Sequence, residues 1–140
     1  MNRMAMVTAI ALMLPAAAIA ADSRRDAIIA DFANQARKVD PGFTGFSATR
    51  GEALFRAKWS TSSDPRATSC TACHTDNPKN PGQNAKTGRA IEPVAVSVNP
   101  KRFTDMAEVE KQFGRDCKNV IGRECTPLEK GDYVTFMSGQ

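Results

Sequence analysis

The sequence predicts an all-α domain. Apolar residues recur at helical spacing in several segments, the last of these segments opens with a strong helix-start signature, and no two segments alternate as a pair of β-strands would. The chain has 140 residues, which is enough for one small domain.

The first 20 residues have the pattern of a secretory signal peptide. Asn2 and Arg3 precede an apolar run, and Ala18-Ile19-Ala20 fits a small-residue cleavage site. The apolar run is shorter than the roughly 20 residues needed to cross a bilayer, so an uncleaved membrane anchor is the less favoured alternative. We expect a periplasmic protein, cleaved near Ala20, with no stable membrane span.

Residues 21–46 are predicted to form an N-terminal helix and a linker. Asp22 or Ser23 is a candidate N-cap, and the helix is expected to run to about Lys38. The apolar positions at helical spacing are Ile28, Phe32 and Ala36. Asp40-Pro41-Gly42 then ends the helix.

Residues 47–140 are predicted to form the main domain. Ser47 is a candidate N-cap for a second helix, and a third is expected to run from Thr104 to a C-cap at Gly114. The last helix begins at Thr126-Pro127-Leu128-Glu129, where an N-cap Thr, a Pro at the first position and a Glu at the third form a capping box. Residues 77–100 lack any regular period, which indicates that a cofactor organises this segment.

Cys70-Thr71-Ala72-Cys73-His74 is a C-x-x-C-H haem-attachment motif. Two thiols three positions apart can add to the two vinyl groups of one haem, and the next residue then becomes the proximal iron ligand. His74 is also the only histidine in the chain. We therefore expect one covalent haem c on Cys70 and Cys73, with His74 bound to iron.

Other uses of the cysteines remain open at this point. A thioredoxin-type C-x-x-C requires a βαβ setting, which the sequence does not predict. A zinc site could use all four cysteines, although Cys117 and Cys125 are widely spaced for one. An all-disulfide framework is compatible with export. For Cys117 and Cys125 themselves we expect a disulfide in an oxidising compartment, with a redox-active dithiol as the alternative.

The sixth iron ligand is not obvious from the sequence. A second histidine is absent, and methionine is the usual ligand in an electron-carrying cytochrome c. After the signal peptide the only methionines are Met106 and Met137, and both lie at core-like helical spacing. An oxygen ligand, water or an open position are the remaining choices.

From about residue 51 onward the sequence resembles a small, DUF1924-like family of atypical class I cytochromes c. This family includes the oxygen-binding SHP-type cytochromes and the cytochromes c″. The resemblance is carried by the haem motif, Thr87-Gly88-Arg89-Ala90-Ile91-Glu92-Pro93, Asn99-Pro100-Lys101-Arg102-Phe103-Thr104-Asp105, and the stretch from Cys117 to Lys130. It implies a class I-like cytochrome c fold around one covalent haem, with an N-terminal helical extension.

The resemblance also implies roles for the second cysteine pair and its neighbour. In the family a disulfide matches Cys117 and Cys125, and the residue before the first of these cysteines supplies the distal iron ligand. That residue is asparagine in SHP-type members and histidine in cytochromes c″, and both types can release it when the iron is reduced. Here it is Asp116, so the chain departs from both patterns.

An Asp116 carboxylate would be a hard anionic ligand that favours ferric over ferrous iron. On reduction it is expected to take up a proton and detach, which opens the iron to O2, NO or CO. The alternative is a surface aspartate paired with Arg115, and Asn119 is a weaker ligand candidate.

These features predict a mono-haem protein for single-electron transfer, with a redox partner such as another c-type or membrane cytochrome. A plain His/Met electron carrier, or a haem enzyme acting on NO or oxygen species, are the alternatives. The net charge of +4 without a basic run does not indicate nucleic-acid binding. Basic residues expected to ring the haem are Lys79, Lys86, Arg89, Lys101 and Arg102.

Overall fold

The computed structural model describes residues 16–140, and its regular secondary structure is almost entirely helical. Its elements are α1 Ala16–Val39, α2 Ala48–Arg56, α3 Thr71–His74, β1 Gly82–Gln83, β2 Ala90–Ile91, α4 Met106–Val120 and α5 Pro127–Ser138. The all-α prediction is therefore confirmed; the antiparallel β1–β2 ladder is only two residues long on each side. Most of the predicted signal peptide lies outside the described residues. Within the described part, no helix combines the length and apolarity needed to cross a membrane.

Helix α1 packs against the core of the same chain. It is already helical at Ala16, the first described residue, so the predicted N-cap at Asp22 or Ser23 is wrong for the full chain. The alanine-rich segment before Asp22 has high helix propensity, and the Asp22 carboxylate pairs with Arg25 at 2.6 Å instead of capping the helix. The buried cluster that joins α1 to α4 and α5 contains Ile28, Phe32, Val109 and Val134.

Helices α2 and α5 cross in close contact. Gly51 lies against α5, where a Cβ would overlap the Asp132 carbonyl oxygen and crowd the Phe136 Cβ. The buried Asp132 carboxylate accepts hydrogen bonds from the Ser47 N–H at 2.7 Å and the Arg50 Nε at 2.7 Å. The Ser47 hydroxyl accepts from the Arg50 N–H at 3.3 Å, which confirms the predicted N-cap. A glycine and an ion pair between the exposed Arg50 and the buried Asp132 thus fix this crossing.

The boundaries of the last two helices test the remaining cap predictions. Asp105, one residue after the predicted start, caps α4 by accepting from the Glu108 N–H at 3.0 Å. The predicted stop at Gly114 is wrong, because α4 continues to Val120 and Gly114 lies within it. The capping box at Thr126 is present as predicted.

The core beside the haem motif is aromatic. The Tyr133 ring lies between Phe113, at a centroid distance of 5.6 Å, and Phe103, at 6.2 Å. The buried members of this cluster are Phe55, Val94, Tyr133, Phe136 and Met137, and Cys70 packs against them. The cluster therefore connects α2 and α5 to the haem motif.

Candidate haem site

The haem-motif residues form a single helical turn, with Cys70 as the N-cap and the other four residues as α3. The Cys73 and His74 N–H groups both donate to the Cys70 carbonyl, at 3.2 and 3.0 Å. The Ser69 hydroxyl accepts from the Ala72 N–H at 3.2 Å and so caps the turn. Residues i and i+3 are neighbours on a helix surface, so this turn places the two cysteine side chains together.

The hairpin after the motif packs directly on α3. A Cβ at Gly82 would overlap the Cys73 carbonyl oxygen, so only glycine permits this approach. The Ala85 N–H donates to the Cys73 sulfur at 3.4 Å. The irregular segment after the motif is thus folded back onto it, and this wrapping holds α3 in place.

The electrostatic environment keeps His74 and Cys70 uncharged at neutral pH. Burial lowers the pKa of His74, and the positive charge of Arg102 lowers it further. Burial, with a smaller contribution from Asp116, raises the pKa of Cys70 to about 12. Neutral imidazole is the form of histidine that binds a metal, so the site presents His74 in the ligating state.

Asp116 lies on α4 close enough to the motif for its charge to act there. Besides its effect on Cys70, its carboxylate opposes the lowering of the His74 pKa, although burial and Arg102 dominate. The carboxylate is paired with Arg115, at 2.6 Å from Nε and 3.1 Å from Nη2, and the Asp116 side chain is 46% exposed. Asp116 is thus near the motif, as the ligand interpretation requires, and it is also paired with Arg115, as the surface-aspartate alternative predicts.

Cys117 and Cys125 form a disulfide, as predicted. The bond is buried with Ile121 and lies beside Trp59. Cys70 and Cys73 are both free. The disulfide uses the second cysteine pair, so the zinc site of four cysteines and the all-disulfide framework are both wrong. Within residues 16–140, no cluster of three metal-ligating side chains occurs.

Replacing Cys117 and Cys125 together by serine is expected to lower the free energy of unfolding by roughly 2–3 kcal/mol. The bond closes a short loop, and the loss follows from the greater freedom of the unfolded chain. Denaturant titration of the haem-loaded protein measures this. An unchanged unfolding free energy would show that the bond does not restrict the unfolded state.

The chain matches a family described as a domain of unknown function, DUF1924, over residues 41–137. It is 35% identical to cytochrome c″ of Methylophilus methylotrophus over 126 residues, which cover 90% of this chain and 87% of that protein. It is 47% identical to the cytochrome c-type protein SHP of Cereibacter sphaeroides over 93 residues, or 66% and 70% of the two chains.

Two solved structures share the fold. Oxidized SHP, an oxygen-binding cytochrome c, superposes with a TM-score of 0.74 at 40% identity, covering 83% of this chain and 96% of its own. Oxidized cytochrome c″ from Methylophilus methylotrophus gives a TM-score of 0.74 at 35% identity, covering 84% and 95%. The chain belongs to the SHP-type cytochrome and cytochrome c″ family. This membership confirms the class I-like fold and implies covalently bound haem c.

The residues of this SHP-type chain fit a covalently attached haem. Two free thiols and a neutral imidazole stand on one helical turn, next to an aromatic core. The indole Nε1 of Trp59 is buried without a hydrogen-bond partner among the described residues, which is unusual for a polar atom. Trp59 packs beside the disulfide that follows Asp116, so this donor lies next to the second cysteine pair.

Sequence reasoning missed three residues that shape the site. Gly82 was not distinguished from other glycines of the irregular segment, although Pro81-Gly82 is a local turn signal. Thr75, directly after His74, adopts a positive φ of 62°, and its sequence gives no sign of this. The third is Arg25 on α1, whose hydrogen bonds to the Pro100 and Arg102 carbonyls join residues too far apart in sequence to be predicted.

Proposed function

We propose that this chain is a periplasmic mono-haem c-type cytochrome that transfers single electrons. Its distal iron ligand is labile, so that O2, NO or CO can bind when the iron is reduced. Cys70 and Cys73 hold the haem through thioether bonds, and His74 is the proximal ligand. The bound haem supplies a one-electron redox couple and a coordination position for a small ligand.

One observation carries the proposal: the two free cysteines and the only histidine of the chain share one helical turn. A redox dithiol would not need the histidine, and a thiol whose pKa burial raises to about 12 is a poor nucleophile at neutral pH. Haem attachment uses all three residues in known roles.

Asp116 is the proposed distal ligand. It directly precedes the disulfide, in the position that supplies this ligand in the family, and its charge acts on the motif. A hard anionic oxygen donor binds ferric iron better than ferrous iron, so its hold weakens on reduction. The observed ion pair with Arg115, at 2.6 Å, stabilises the carboxylate when it is not bound to iron, so that detachment does not require the proton uptake expected from the sequence.

The relatives support lability at this position. The solved SHP is an oxygen-binding cytochrome c, and the solution structure of cytochrome c″ concerns the structural basis of haem-ligand detachment. The solution structure of cytochrome c″ matches this chain with a TM-score of 0.73 at 35% identity, covering 84% and 94% of the two chains. One relative thus binds oxygen, and haem-ligand detachment is described for the other. Both observations support a labile distal ligand in this chain.

The two methionines that follow the signal peptide pack in the core, and we propose that neither binds the iron. Met137 is fully buried in the aromatic cluster with Phe55 and Tyr133. Met106 packs on the cluster that joins α1 to α5. Because moving either side chain to an iron atom would open a cavity in the core, a permanent methionine ligand is disfavoured.

Export and electron transfer complete the proposal. The disulfide is consistent with an oxidising compartment, and the signal-peptide pattern of the first 20 residues points to the same place. Exposed basic residues beside the motif, among them Lys79, Lys86 and Arg89, would attract an acidic redox partner such as another c-type or membrane cytochrome.

Replacing Asp116 by alanine is expected to change the ferric absorption spectrum and to raise the midpoint potential. The variant lacks an anionic donor that favours the ferric state. Spectra and potentiometric titrations of the haem-loaded variant measure both. Asp26→Ala on the exposed face of α1 removes the same charge far from the motif in sequence and is the control. If the two variants have the same spectrum and potential, Asp116 is not the ligand.

A further inference from the structure

Arg25 is an arginine buried in α1. Its side chain is only 5% exposed, although arginine is almost never buried without partners. Its Nη1 pairs with Asp22 at 2.6 Å, its Nη2 donates to the Pro100 carbonyl at 2.7 Å, and its Nε donates to the Arg102 carbonyl at 3.2 Å. A buried cation is thus used to hold the backbone of residues 100–102.

Arg102, held in this way, reaches the other side of the irregular segment. Its Nε donates to the Pro93 carbonyl at 2.9 Å and its Nη2 to the Glu92 carbonyl at 2.6 Å. The following residues, Val94 and Ala95, donate their N–H groups to the Pro78 carbonyl at 3.1 and 3.0 Å. Hydrogen bonds therefore connect α1, through two arginines, to the segment directly after His74.

The backbone at Phe103 holds Arg102 in a defined direction. Phe103 has a φ of 58°, which is uncommon for a bulky residue and persists only where surrounding contacts impose it. Its ring packs edge-on against Tyr133, at a centroid distance of 6.2 Å, in the cluster that also contacts Cys70. The loop that carries Arg102 is thus anchored on one side by Arg25 and on the other by the core beside the haem motif.

The Arg102 guanidinium is joined to the core beside the motif: the Pro93 carbonyl that it binds directly precedes Val94, which is buried in the cluster against which Cys70 packs. The guanidinium is always protonated, so its charge is permanent. Its two acceptors are carbonyl groups, and within residues 16–140 no carboxylate forms an ion pair with it.

We propose that Arg102 raises the midpoint potential of the haem held by His74, and that Arg25 on α1 is the positioning residue that keeps Arg102 in place. This inference rests on the proposed haem attachment. Ferric haem carries one more positive charge than ferrous haem. A fixed cation nearby disfavours the ferric state, and it does so more strongly in the protein interior than in water. The N-terminal helix thereby becomes part of the redox site.

Potentiometric titration of the haem-loaded full chain tests this with four variants. Arg102→Gln, which removes the charge, is expected to lower the midpoint potential, and Arg102→Lys to retain most of the native value. Arg25→Gln is expected to lower the potential in the same direction by releasing Arg102. Arg24→Gln removes a neighbouring, exposed cation and is expected to leave the potential unchanged.

The outcomes distinguish failure of the proposed haem attachment from failure of the roles proposed for Arg102 and Arg25. Failure of the native chain to bind haem covalently would overturn the proposed function before any potential is measured. With haem attached, an unchanged potential in Arg102→Gln would overturn the role of Arg102. If Arg25→Gln lowers the unfolding temperature but has the same midpoint potential as the native protein, Arg25 is a structural residue only.

Discussion

The Cys70→Ser/Cys73→Ser variant is expected to keep no haem after denaturation. Serine hydroxyls do not form thioether bonds to the haem vinyl groups, so any haem that enters the site is held by His74 and packing alone. Denaturing gel electrophoresis with haem staining measures the covalent fraction. We expect a complete loss of stain at the position of the chain.

The disulfide variant Cys117→Ser/Cys125→Ser is the matched control for this experiment. It also replaces two cysteines by serines, but these lie 43 or more positions beyond the end of the motif and are bonded to each other. We expect it to retain full haem staining. Loss of staining in both variants would point to a general failure of folding or maturation, and retention in both would place the attachment elsewhere.

Gly51→Ala is expected to give the largest loss of stability among the single substitutions considered. The new Cβ would overlap the Asp132 carbonyl oxygen and crowd the Phe136 Cβ, and neither of these can rotate away. Overpacking of this kind costs about 1–3 kcal/mol, and the crossing of α2 on α5 would have to open to relieve it. Guanidinium denaturation of the haem-loaded protein, followed by far-ultraviolet circular dichroism, measures the change.

Gly114→Ala is the control for this substitution. Gly114 also lies within a helix, but a Cβ there meets no atom within 4 Å. Alanine is the better helix former, so we expect this variant to be more stable by about 0.5–1 kcal/mol. Equal effects at the two glycines would contradict the close packing of α2 on α5.

Local sequence signals predicted the helix starts that depend on local chemistry. Ser47 and Thr126 each bond an N–H group three residues ahead, and such a cap depends only on neighbouring residues. The errors occurred where a local signal has two meanings. Gly114 looks like a C-cap but lies inside α4, because the packing of this helix outweighs the modest cost of one glycine.

The site was predictable to the extent that its chemistry is consecutive in sequence. Cys70, Cys73 and His74 form one motif, and the disulfide follows from the resemblance to a known family. The hydrogen bonds of Arg25 to the 100–102 backbone join residues 75 and 77 positions apart, and neither residue type is unusual in a helix or a loop. Contacts of this kind arise from tertiary packing, so they cannot be predicted from a local sequence pattern.

Absorption spectroscopy of the purified haem-loaded protein tests most directly whether the haem iron has a labile sixth ligand. Spectra are recorded in the oxidised and the reduced state, with and without carbon monoxide. We expect a high-spin spectrum from the ferric protein. We also expect a rapid spectral shift when carbon monoxide is added to the reduced protein. A sharp low-spin spectrum in both states, unmoved by carbon monoxide, would contradict both expectations and establish a strong, permanent sixth ligand.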